Sequence, residues 1–168
     1  IFTKFTGLIY SAMAIIFLCL PFYVLYEGFD NNIFDAPFKY VLLAIVFFAA
    51  FSFCCWISFQ ILFNRKNQFQ GLDRSKGYVA TTIAANVAST FGEILAVFWA
   101  IIGTVFSVLA LIFDDASSFT SLLGFEGMGS AIVDVIYFPI TAFLILVFFR
   151  WSSELIVALA DIARNTKK

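Results

Sequence analysis

Histidine is absent from this 168-residue sequence, and only 12% of its residues are charged. The first absence removes the commonest metal ligand and the usual acid–base group near neutral pH. The second removes the surface of a soluble domain, which is about a quarter charged and half apolar. Proline occurs three times, so little interrupts helix formation. Cysteine is equally scarce, at Cys19, Cys54 and Cys55, each within an apolar run. Neighbouring residues point to different helix faces, so Cys54 and Cys55 suggest neither a disulfide nor a metal pair; all three read as small buried hydrophobes. Enzyme signatures are missing too: no zinc-binding pattern, no G-x-S-x-G elbow, no glycine-rich phosphate loop. Ser117, Ser118 and Ser121 have no base to activate them. The expectation is a non-catalytic protein with no cofactor, no metal, no nucleic-acid partner and no small-molecule substrate.

What is present is apolar. Hydrophobic residues make up 62% of the chain and mean hydropathy is +0.99. That composition alone predicts an integral membrane protein. Phenylalanine, with 24 copies, suits lipid-facing and inter-helix surface.

Four segments approach or exceed the ~20 residues that cross a bilayer core: 8–26, 39–63, 94–113 and 131–149. The first is too long for a signal-peptide core and reads as a retained span. Pro21 and Pro139 interrupt the first and fourth, and a local kink is expected at Pro21. Residues 27–37 form a short acidic loop, and residues 64–77 a hydrophilic one with Arg65, Lys66, Arg74 and Lys76 against Asp73. Residues 114–131 are apolar for a loop and predict a short interfacial helix near 117–123.

The third apolar run begins at residue 78, too early for a single crossing, so 78–93 reads as an inward extension of that helix. Residues 150–166 extend the fourth in the same way, with Leu155, Leu159 and Ile162 on one face. The fold expected is all-α: a polytopic bundle of four transmembrane helices in a single domain, 1–168, with the third and fourth helices extended into the cytoplasm. Lys4, Arg65, Lys66, Arg74, Lys76, Arg150, Arg164, Lys167 and Lys168 fall on one side of such a bundle and only Lys39 on the other. The positive-inside rule then puts both termini in the cytoplasm.

Every fourth residue of the third segment is small: Ala80, Ala84, Ala88, Gly92, Ala96, Ala100, Thr104. In lipid, helices associate by close backbone approach at such residues. This strip predicts that the third helix is the hub on which the others pack. Its row drifts by about 40° per step.

Two acids stand out. Glu93 lies at the inner edge of the third span, and Arg150 closes the fourth at the same depth, so the two are expected to pair and lock those helices. Asp134 reads as a helix-start carboxylate of the fourth span, favoured by the helix dipole. The rest of the inner polar layer, Asn86, Thr90, Ser152, Ser153 and Glu154, is explained by helix-end hydration. The basic stretch 65–76 is a topological signal that could also attract anionic lipid headgroups or an acidic partner.

The run Arg150-Trp-Ser-Ser-Glu154-Leu155-Ile156-Val157, followed by Ile162 and Asn165, resembles the closing pattern of a family of short bacterial membrane proteins of unknown function. The opening Phe2-Thr-Lys4-Phe5 resembles theirs too. The likeness covers the two ends, and this chain departs from that family in carrying an extra hairpin, its second and third spans. It implies only a bacterial membrane protein whose last span continues into a cytoplasmic helix; with the charge bias, the location expected is the bacterial inner membrane. The function expected is that of an accessory, scaffolding or assembly subunit whose partners are other integral membrane proteins or itself, together with lipids. The alternative is a small oligomeric channel or transporter using Glu93 or Asp134, and a lipid-acting enzyme ranks third.

Overall fold

The computed structural model describes residues 2–70, 79–113 and 131–166. Among them there is no strand. Helix α1 spans Phe2–Asp30, α2 spans Phe38–Gln70, α3 spans Val79–Ile112 and α4 spans Ala131–Asn165, with a 3-10 turn at Ile33–Asp35 between the first two. Each of these four helices is long and apolar enough to cross a membrane. At 1.5 Å per residue they run roughly 43–53 Å, against a hydrocarbon core of about 30 Å. Each therefore overshoots it.

The overshoot corrects the expected loops. Helix α2 does not stop where its apolar run ends near residue 63; it continues through Asn64, Arg65 and Lys66 to Gln70. Arg, Lys and Gln are good helix formers, and no glycine or proline intervenes before residue 71. A fall in hydropathy marks the exit from the apolar layer, not the end of the helix. Residues 71–78, with Arg74 and Lys76, lie outside the described residues, as does the interfacial helix expected at 117–123.

Helix α1 likewise runs past Tyr26 to Asp30. The turn is then made by Asn31, whose N–H reaches the Glu27 carbonyl at 3.0 Å, and by Asn32, which is left-handed at φ 53°. Asparagine tolerates that conformation better than other side chains. Pro37 opens α2, where its carbonyl accepts from Tyr40 N–H at 2.8 Å and its missing donor costs nothing. Both α1 and α4 continue through their internal prolines.

Packing follows chain order: α1 on α2, α2 on α3, and α3 on α4, the last being the most extensive pairing. Helix α1 also touches α3, through Tyr10 to Thr90 and Phe17 to Phe98. Helix α3 is thus in contact with each of the other three. Leu43 and Cys54 pack with Ile102, Phe106 and Leu109 between α2 and α3. Tyr10 and Ala14 meet Leu62 in a second cluster that includes Ile83 and Ile94.

The α3–α4 seam is built on two glycines. A Cβ at Gly92 would overlap the Phe149 side chain, and one at Gly103 would overlap Phe138. Between them Trp99 Nε1–H donates to Thr141 Oγ1 at 2.8 Å. Not all of the expected small-residue strip lies in this packing. Gly92 and Ala96 are buried and Ala88, Ala100 and Thr104 half-buried, but Ala80 and Ala84 are exposed. A strict four-residue row turns about 240° around the helix in six steps, so no single neighbour covers it. The buried line instead mixes spacings of three, four and seven through Ala85, Ser89, Gly92, Ala96, Gly103 and Ser107.

Candidate functional site: a polar node joining four helices

At the end of the bundle where the apolar run of α2 gives out, α2 and α3 lie antiparallel and α4 lies antiparallel to α3. That arrangement brings Arg65, Glu93 and Arg150 to one level. Glu93 Oε1 accepts from Arg65 Nη2 at 2.5 Å and from Arg150 Nη2 at 3.2 Å. The Glu93–Arg150 pair read from the sequence is therefore present in the geometry. Arg65, read there only as part of a basic loop, makes the shorter contact. Its side chain is 14% exposed and that of Glu93 17%, whereas Arg150 is 61% exposed.

The surrounding polar groups extend the node. Arg65 Nη2 also donates to Ser89 Oγ at 3.2 Å. One turn away, Thr90 Oγ1–H donates to the Asn86 carbonyl at 2.7 Å and accepts from Tyr10 O–H at 3.1 Å. All four helices thus contribute a side chain. Arg65 or Glu93 left without the other, each with a largely enclosed side chain, would cost several kcal/mol, so the two hold one another in place and with them α2 and α3.

Other residues singled out by sequence lie elsewhere. Asp134 is in the first turn of α4, about 24 Å along that helix from Arg150. Ser152 Oγ–H donates back to the Phe148 carbonyl at 2.8 Å, and Glu154 is exposed. Cys54 and Cys55 are buried, whereas Cys19 is exposed. Ser107 Oγ–H donates to the Gly103 carbonyl at 2.8 Å.

A second feature sits at the far end of the α1–α2 hairpin. It is a cleft of about 290 Å³ lined by Val24, Leu25, Ala44, Ile45 and Phe48 and bounded by Ile33 and Phe34 of the turn. Its walls are apolar throughout, and none of its lining residues is ionisable.

No family matches. No family model, no curated protein and no solved structure matches the chain. The reading of function accordingly rests on the node and on the surfaces the four helices leave uncovered.

Proposed function

We propose that the protein is a non-catalytic integral membrane component that packs against other membrane proteins, or against copies of itself, as an accessory, scaffolding or assembly subunit. One observation carries this reading. Ala80, Ala84 and Val87 form an exposed stripe along the first half of α3, outside the seams with α2 and α4. This part of α3 is read as the extension beyond the hydrocarbon layer, where water does drive apolar surfaces together, so an exposed apolar stripe there marks a contact with another protein. The node supports the same reading, because Arg65, Glu93 and Arg150 meet across the seams and join helices within the chain. The resemblance at the two ends adds a bacterial membrane, and the bias of basic residues puts both termini in the cytoplasm.

Purification in mild detergent of the wild type and of Ala84→Trp tests it. The wild type is expected to elute as a defined assembly, with a stoichiometric companion or as a multimer. Ala84→Trp is expected to elute as a folded monomer with the same Tm. A monodisperse wild-type monomer would overturn the proposal. So would ion or proton flux in reconstituted vesicles that Glu93→Gln abolishes, which would establish the small-channel alternative instead.

A further inference from the structure

The node is not electrically balanced. Two guanidiniums converge on one oxygen of one carboxylate, leaving a local charge of +1 among Arg65, Glu93 and Arg150. Arg65 is enclosed, with Ser89 and Glu93 as partners, so the excess surfaces at Arg150. Among the described residues only its Nη2 has a protein partner, and the rest of its planar fork is open to the outside. The nearby carboxylate that could neutralise it is Glu154, one turn further along α4, and it makes no ion pair with Arg150. The order Arg then Glu at that spacing is also the less favourable one on a helix. Lys66 adds a second cation at the same end, its Nζ 5.6 Å from the centre of the Phe63 ring.

The position of this excess identifies its counterion. Arg150 follows directly on the apolar run that ends at Phe149, which is the level of lipid phosphates. Phe91, Phe148 and Trp151 beside it are all exposed and aromatic or apolar, a collar for acyl chains rather than for water. Guanidinium binds phosphate oxygens through two parallel hydrogen bonds. We infer that Arg150, backed by the Glu93–Arg65 pair, binds the phosphate of an anionic phospholipid at the interface between α3 and α4. Glu93 moderates the charge of that guanidinium from behind. The inference is independent of any protein partner.

The test uses the full chain reconstituted in phosphatidylcholine nanodiscs with increasing phosphatidylglycerol, read by Tm and by lipid retained in native mass spectrometry. Phosphatidylglycerol is expected to raise the Tm of the wild type and to be retained. Arg150→Gln should bind it about fivefold more weakly, the worth of one cation at a charged surface. Arg150→Lys, which keeps the charge but not the fork, should fall between the two and serves if Arg150→Gln fails to fold. Glu93→Gln should retain more phosphatidylglycerol than the wild type, because it raises the local charge to +2; a merely structural role for Glu93 predicts less. Lys39→Gln, at the other end of the bundle, should leave retention unchanged. Equal retention in the wild type and both Arg150 variants would overturn the site. An equal rise in Tm from inorganic phosphate in phosphatidylcholine alone would show a soluble anion as the ligand and overturn the lipid assignment.

Discussion

Glu93 is the residue on which the most other groups depend. It accepts from two arginines that come from helices on either side of α3, and their surroundings differ. The Arg65 contact is enclosed, so its coupling to Glu93 should be large. The Arg150 contact is exposed, where water competes and pairs contribute little. Double-mutant cycles of Glu93→Gln with Arg65→Gln and with Arg150→Gln, measured by reversible unfolding in detergent, separate them. The first cycle should give a coupling of about 1–3 kcal/mol and the second under about 1 kcal/mol. Equal couplings would mean that the two arginines are equivalent. The sequence made Glu93 and Arg150 legible because each interrupts or closes an apolar run. Arg65 was hidden, since it looked like one of several basic residues in a loop; only the continuation of α2 to Gln70 turns it onto α3.

At the scale of elements, the α3–α4 pairing depends on two places where no side chain stands between the helices. Gly103 sits under the Phe138 ring and Gly92 under Phe149, and both rings lie on the single face of α4 that meets protein. Gly103→Leu should therefore separate α4 from α3 and lower Tm markedly, and even Gly103→Ala should cost about 1–3 kcal/mol by overpacking. Gly7→Ala is the control, because a Cβ there meets nothing within 4 Å. It should be neutral or mildly stabilising, as expected for replacing glycine within a helix. A Gly103→Ala variant as stable as the wild type would show that Phe138 moves aside freely. Small residues were legible as a class, but Gly103 was not on the four-residue row, because a straight row is not the line a neighbouring helix follows.

For the whole molecule, the antiparallel order of α1 to α4 puts an even number of crossings between the two ends. The end containing Thr166 and Lys66 should then face one side and the turn at Asp35 the other. Membrane-impermeant maleimide applied to intact cells tests this, with one cysteine introduced at Thr166, Lys66 or Asp35, Cys19 replaced by serine, and Cys54 and Cys55 left buried. Asp35→Cys should label from outside, and Thr166→Cys and Lys66→Cys only after permeabilisation, as the distribution of basic residues requires. Labelling of all three from outside would rule out the four-crossing arrangement.

The sequence by itself determined that the chain is helical and apolar enough to cross a membrane four times, because length and hydropathy are local properties that need no partner. It also located the helix with the smallest surface and the acid within it. Tertiary structure alone decided which part of that surface meets protein, that α4 pairs extensively with α3 only, and that Arg65 reaches Glu93. Those outcomes depend on the rotation of each helix about its axis and on where it ends. Both are set by the shapes of neighbouring side chains, and the hydropathy of one segment does not record them.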